Sequence, residues 1–383
     1  MRKALAVFLL SACALAAAEK KIIFPAGAKV VGPYSPGIVV GDLLYVSGQG
    51  AKAPDGTFPA TVPAQVKQCL DNVKVIVEAA GLTMDHLVYA QIYSPNPQAW
   101  DEIDRAWAAY FPKNGPARAV LGVEKLPDNT PVEINAVAVT NLADKKVVAN
   151  GAAVMSRDRI FVSGVFGETP EIAIERLGEA LRAAGADYRH LVFVNPYMLS
   201  SVGYEQMNTA YAKRFEFGNT PARATIYAAH LPGSAAIEFT GVAVRDLSKR
   251  RAVRPKNMPP SPTASPCVFA GDTLYCSAKS AFIPGPVSGT YASTVEEQVR
   301  MSVRNLLDGL EEGDLTLADV VATNVYLDDI ADFPKMNRVY AQYFKNAPPT
   351  RTTVQQIPAV AERKANDRDV WPNLEQISLI AVK

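Results

Sequence analysis

Asp42-Leu-Leu-Tyr-Val-Ser-Gly48 returns as Asp158-Arg-Ile-Phe-Val-Ser-Gly164 and again as Asp272-Thr-Leu-Tyr-Cys-Ser-Ala278. Each is a short β-rich run behind a turn residue. Ser47, Ser163 and Ser277 recur at intervals of 116 and 114 residues. A period that long marks a whole folding unit, so the chain reads as three diverged copies in tandem.

The sequence around each run keeps the same order. A helical pattern follows, with apolar residues at i, i+3, i+4 and i+7, and stops at Gly81, Gly185 and Gly313. A strand comes next: LVYAQIY, LVFVNPY and VVATNVY. The second helix matches more closely, as Asp104-Arg-Ala-Trp-Ala-Ala-Tyr-Phe111, Asn208-Thr-Ala-Tyr-Ala-Lys-Arg-Phe215 and Asn337-Arg-Val-Tyr-Ala-Gln-Tyr-Phe344. A turn then leads to Arg118, Arg223 and Arg351, and a last alternating strand carries Glu133, Glu238 and Glu375. The expected class is α+β, with β-β-α-β-α-β-β units over about 25–145, 146–248 and 255–383. Residues 249–256 read as a polar linker, and 363–372 as a surface-loop insertion in copy three.

Lys+Arg 39 against Asp+Glu 38 leaves no basic surplus, which argues against nucleic acid as a partner. Residues 1–18 read as an export signal, with Arg2 and Lys3 before a short apolar run and small residues. Two processing readings stay open. Ala16-Ala17-Ala18 fits ordinary signal peptidase, whereas Leu10-Ser11-Ala12-Cys13 resembles a lipobox that would leave a lipid anchor at Cys13. The expected location is periplasmic or secreted. Cys69, Cys267 and Cys276 form no metal pattern and read as buried thiols; Cys267 and Cys276 could pair only across a hairpin. His86 and His190 align just before a strand where copy three has Asp319, which suggests a boundary role. Trp100, Trp107 and Phe111 fit a helix face.

Gly32-Pro-Tyr-Ser-Pro-Gly-Ile-Val-Val-Gly-Asp-Leu-Leu-Tyr-Val-Ser-Gly-Gln49, with Gly115-Pro-Ala-Arg-Ala-Val120 and Pro131-Val-Glu-Ile134, resembles the opening and closing signatures of the Rid family, also called YjgF or reactive intermediate deaminases. Met336-Asn-Arg-Val-Tyr-Ala-Gln-Tyr-Phe344 resembles its second helix. The resemblance implies a chorismate-mutase-like unit that trimerises around a central β-barrel, with sites in the clefts between subunits. Three fused units then imply a monomer acting as an intramolecular pseudo-trimer, because each sheet must bury its inner face against another layer.

The resemblance also implies hydrolysis of small 2-imino or enamine acids to 2-oxo acids and ammonia. Arg118, Arg223 and Arg351 would hold the substrate carboxylate through their planar forks. Glu133, Glu238 and Glu375 would orient or deprotonate water. Tyr34, Ser47, Gly48, Ser163, Gly164, Ser277, Asn208 and Asn337 fall at substrate-binding positions. No metal or organic cofactor is required. Arg118 and Glu133, or Arg223 and Glu238, each 15 residues apart, could instead be structural ion pairs within one copy. Asp104 would repel an anionic substrate if it faced a cleft, so unequal clefts are expected. The rivals are a non-catalytic carboxylate-binding module and an RNA-cleaving or chaperone-like role.

Overall fold

The computed structural model describes residues 19–27, 32–256, 258–283, 289–358 and 361–383. The expected export signal and Cys13 lie outside these residues. The first repeat contains β1 (Lys21–Ile23), β2 (Gly37–Val40), β3 (Leu43–Gly50), α1 (Val62–Ala79), β4 (Leu87–Ser94), α2 (Trp100–Tyr110), β5 (Ala117–Gly122) and β6 (Glu133–Val139). The second contains β7 (Lys146–Val148), β8 (Ala153–Met155), β9 (Arg159–Gly167), α3 (Pro170–Ala183), β10 (Leu191–Met198), α4 (Tyr204–Ala212), β11 (Ala222–Arg223), β12 (Ile226–Tyr227) and β13 (Ile237–Val244). The third contains β14 (Arg250–Val253), β15 (Cys267–Ala270), β16 (Thr273–Lys279), α5 (Val295–Glu312), β17 (Val320–Leu327), α6 (Phe333–Tyr343), β18 (Thr350–Gln355) and β19 (Glu375–Val382).

Each repeat is one sheet backed by two helices. The strand orders are β1-β2-β3-β6-β4-β5, β7-β8-β9-β13-β10-β11 with β12 also on β10, and β14-β15-β16-β19-β17-β18. Neighbours run antiparallel except at β4/β5, β10/β11, β10/β12 and β17/β18, which are parallel across a helix. Each unit has a leading edge strand that the sequence pattern did not give, β1, β7 or β14, and in the second the strand after α4 is also split into β11 and β12. The expected linker is therefore partly sheet. Arg250–Val253 pairs with β15, while the Arg250 side chain donates to Leu191 O and to Asn219.

Four apolar clusters hold the molecule. Three draw their buried members from single repeats and fill the space between sheet and helices, with Leu70 and Ile103, Leu177 and Met207, and Leu306 and Met336 among them; Phe166 of repeat 2 also packs against the first. The fourth joins all three sheets, with Tyr93, Val192 and Tyr326 from the three middle strands. Strands β4 and β10 are buried along their whole length because both faces are covered, one by helices and one by this shared core.

Each repeat caps the turn before its middle strand in the same way. Thr83 N donates to His86 Nδ1 at 3.2 Å, Asp187 N to His190 Nδ1 at 3.1 Å, and Thr316 N to Asp319 Oδ2 at 2.7 Å. The histidines and the aspartate are thus equivalent turn locks. In copy three, Arg363 of the insertion grips the buried Asp328 and Asp332, so this loop is pinned to the repeat.

The thiol reading is corrected at one pair. Cys267 and Cys276 lie opposite each other on β15 and β16, 4.0 Å apart at Cα, and form a disulfide. Their shared side faces α5, where a Cβ on Gly309 would come within 2.6 Å of Cys267 Sγ. Cys69 is free and buried. Alkylation of the unreduced protein in denaturant should label Cys69 and spare Cys267 and Cys276. Because the closed loop is short, with a sequence separation of 9, reduction should lower unfolding stability by roughly 2–3 kcal/mol in denaturant titrations.

Candidate functional site

The serine of the repeated run sits on a β-bulge in every repeat. Ser47 and Gly48 oppose one residue of β6; Ser163-Gly164 and Ser277-Ala278 do the same against β13 and β19. Bulges re-aim side chains beside functional sites. Here the bulge turns the serine towards the next repeat. Arg118 N donates to Ser163 Oγ at 3.1 Å, Arg223 N to Ser277 Oγ at 2.8 Å, and Arg351 N to Ser47 Oγ at 2.8 Å. Each hydroxyl donates in turn to a carbonyl of its own repeat, Gly151 O, Ser265 O or Ser35 O. Their protons are engaged, and they fix the arginine backbone across each seam; Ser163 also lines the cleft between repeats 1 and 2.

By these contacts Ser35 corresponds to Gly151 and Ser265, so Tyr34 corresponds to Asn150 and Ala264. Asn150 and Gly151 line a cleft.

At two seams an arginine acts on the glutamate of the neighbouring repeat and not on its own. In the cleft between repeats 3 and 1, Arg351 is 5% exposed and lies over the rings of Tyr34, Phe333 and Tyr340 at 5.4, 5.4 and 5.0 Å. Glu133 lies against Gly48, where a built Cβ would be 1.9 Å from its Oε1. Tyr34, Gly48, Gln49, Glu133 and Phe333 line a cavity of about 270 Å³ there. Burial pushes the Glu133 carboxyl up to about 8, with the Arg351 charge opposing the rise. Asn337 takes the place of Asp104 in this repeat, and its Oδ1 is buried without a hydrogen bond among the described residues.

In the cleft between repeats 1 and 2, Arg118 faces Glu238. Val120 N donates to Glu238 Oε1 at 3.1 Å. Burial holds this carboxyl well above the usual range, against the pull of that hydrogen bond and of Arg118. The cavity, about 660 Å³, includes Trp107, Phe111, Arg118, Gly151, Gly164 and Phe166. Trp107 thus serves the helix face and the cleft wall together. Asp104 does face the arginine, with Arg118 Nη2 2.6 Å from Asp104 Oδ1.

The third cleft, between repeats 2 and 3, differs. Arg223 Nη1 donates to Asn208 Oδ1 at 2.9 Å and Nη2 to Tyr204 Oη at 3.1 Å. Glu375 is absent from its surroundings. The alignment of Glu375 with Glu133 and Glu238 is corrected by the register: Gln376 pairs with Tyr326 as those glutamates pair with Tyr93 and Tyr197, and its Nε2 donates to Thr225 O at 3.1 Å. Glu375, one residue earlier, lies on the helix side of the sheet and accepts from Ser302 Oγ on α5. Sequence reasoning gave no sign of Ser302 or Tyr204, since neither belongs to a recurring motif. In no repeat does the arginine pair with the glutamate of its own copy, so the ion-pair reading within one copy is ruled out.

Comparison with known proteins places this arrangement. A 2-iminobutanoate/2-iminopropanoate deaminase of Escherichia coli strain K12 is 37% identical over 113 residues, 28% of this chain and 88% of that protein. A RutC family protein of Saccharolobus solfataricus is 34% identical over 122 residues, 31% of this chain and 97% of that protein. The family profile described as Endoribonuclease L-PSP matches three times, at residues 26–140, 144–245 and 257–363. The chain belongs to the Rid family. Among solved Rid-like proteins, E. coli TdcF with bound serine is 32% identical, covering 32% of this chain and 99% of that one, with a TM-score of 0.30.

Two outcomes follow from these charges. A base with a pKa near 8 is ionised in roughly one molecule in ten at pH 7. If Glu133 takes the proton of water, kcat/KM rises about tenfold per unit up to about pH 8 and then levels; Glu133→Gln leaves a low, flat profile in rate–pH measurements. The Asp104 ion pair is partly exposed, with Asp104 at 55% and Arg118 at 24%. Asp104→Asn should therefore tighten 2-oxobutanoate binding at that cleft by only about two- to fivefold in calorimetry.

Proposed function

We propose that this chain is an exported deaminase acting on small 2-imino or enamine carboxylic acids, releasing 2-oxo acids and ammonia, as a monomer in which three repeats supply one another's cleft walls. The observation that carries the reading is that the Arg351 charge acts on the buried Glu133 across the seam between repeats 3 and 1, where Tyr34 lies over Arg351 and lines the cavity that Glu133 borders. The named activity of the E. coli relative supports the reaction class.

The chemistry needs little more than that pair. An imine carbon is electrophilic without activation by a metal. Arg351 binds the carboxylate and sets the C=N carbon beside Glu133. Water adds to that carbon, and Glu133 accepts its proton. The nitrogen then leaves as ammonia, taking a proton back as the C–N bond breaks and C=O forms. A mostly neutral Glu133 also tolerates a nearby substrate carboxylate before reaction. The Cys267–Cys276 disulfide supports the exported location, since such bonds persist in oxidising compartments.

The test generates 2-iminobutanoate or 2-iminopropanoate in situ and follows its loss with and without protein. Acceleration is expected, with Arg351→Ala losing most of it, on the order of a hundredfold in kcat/KM at that cleft. No acceleration, or equal acceleration by the triple Arg118→Ala, Arg223→Ala, Arg351→Ala variant, would refute the activity.

A further inference from the structure

We propose that the cleft between repeats 2 and 3 is a binding site without turnover: Arg223 holds a small carboxylate there, and Gln376 stands where the other two seams place a glutamate. Only the missing turnover rests on the deaminase reading; the carboxylate site stands on geometry alone.

The strand register fixes the equivalence from both sides. On the middle strands, Glu133 pairs with Tyr93, Glu238 with Tyr197 and Gln376 with Tyr326. On the bulged strands, the following residues Ile134, Phe239 and Ile377 pair with Gln49, Val165 and Lys279, each next after its bulge. The contacts agree. Glu238 accepts from Val120 N, two residues past Arg118, and Gln376 Nε2 donates to Thr225 O, two residues past Arg223. Gln376 therefore reaches across its seam as Glu238 does. Its amide also donates to Gln356 Oε1 at 3.0 Å.

An amide cannot take the proton of water as a carboxylate can. No other acid fills the post. Glu375 is fully buried on the helix side, bonded to Ser302. The place itself is narrower. A Cβ on Gly48 would fall on Glu133 Oε1, and one on Gly164 on Glu238 Oε1. Repeat 3 carries a methyl group at that position, as Ala278.

The arginine is kept and stays free of counter-ions. Arg223 is 6% exposed, and among the described residues its side chain bonds only Asn208, Tyr204 and the Met207 sulfur. These contacts leave N–H donors of the fork unused. Asn208 stands where Asp104 neutralises Arg118. A buried guanidinium without a counter-ion favours an incoming anion. Tyr204 and Tyr211 of its own repeat lie against it. Ala264 replaces the ring that Tyr34 lays over Arg351, and with Ser265 it lines a cavity of about 220 Å³ at this seam. The cleft thus offers a carboxylate anchor with room beside it and no acceptor for a proton.

The Arg118→Ala, Arg351→Ala double variant isolates this cleft, the one left with its arginine. It should still bind 2-oxobutanoate in calorimetry, and adding Arg223→Ala should abolish that binding. It should not turn over 2-iminobutanoate. Gln376→Glu with Ala278→Gly, added to the double variant, should raise its turnover on the order of a hundredfold. If the double variant folds poorly, the same two substitutions in the native chain should raise kcat as another cleft begins to work. Absence of 2-oxobutanoate binding in the folded double variant, or binding that survives Arg223→Ala, overturns the carboxylate site. Turnover by the double variant that Arg223→Ala abolishes overturns the claim that this cleft is silent. No gain from Gln376→Glu with Ala278→Gly, while 2-oxobutanoate still binds, overturns the part given to Gln376. Failure of the native protein to deaminate refutes the function proposed above, and calorimetry alone then decides the carboxylate site.

Discussion

The hydrogen bond from an arginine backbone N–H to a serine hydroxyl of the neighbouring repeat is the constraint on which the molecule turns. It occurs at all three seams, between 2.8 and 3.1 Å. It needs the bulge, because only there does the serine leave the pleat and face outward. It needs the shared core, because the sheets must close on one another before the seams exist. It also sets where each guanidinium begins, and so where a carboxylate can be held. One short polar contact thus links the register of a sheet to the chemistry of a cleft.

The side chains around that fixed frame give three different electrostatic settings. One arginine lies among aromatic rings with a protonated glutamate nearby. Another is neutralised by an aspartate on the second helix of its own repeat. The third keeps its charge and has lost its glutamate. The backbone is nearly repeated while the charges are not. Fusion permits this difference, since a homotrimer built from one gene must carry every substitution three times, whereas here each position changes alone.

Much of this was legible in the sequence, for physical reasons. Periodicity and recurring turn residues mark the repeats, because the same strands and helices need the same patterns. Arg118, Arg223 and Arg351 stand out because they recur. The partner of each was not legible, since cleft walls form between copies and sequence separation carries no trace of that. Glu375 looks in the sequence like the partner of Glu133 and Glu238, yet the register gives their position to Gln376, and a shift of one residue along a strand sends a side chain to the other face. The leading edge strands were hidden because Lys146–Val148 and Arg250–Val253 are short and partly polar, as exposed edges tend to be. The disulfide was hidden because pairing depends on hairpin register, which spacing alone leaves open.

Of the three seams, two are bridged by a few residues of chain, while the seam joining repeats 3 and 1 is closed only by contacts such as Ser35 N to Pro349 O and Arg351 N to Ser47 Oγ, the latter 304 residues apart. Loop closure over that length is the most demanding step entropically. It also waits for the last repeat, because synthesis proceeds from the N-terminus. The seam at which the Arg351 charge acts on the buried Glu133 is this one. A nascent chain thus carries no finished Arg351–Glu133 cleft, and that cleft appears only when the ring shuts.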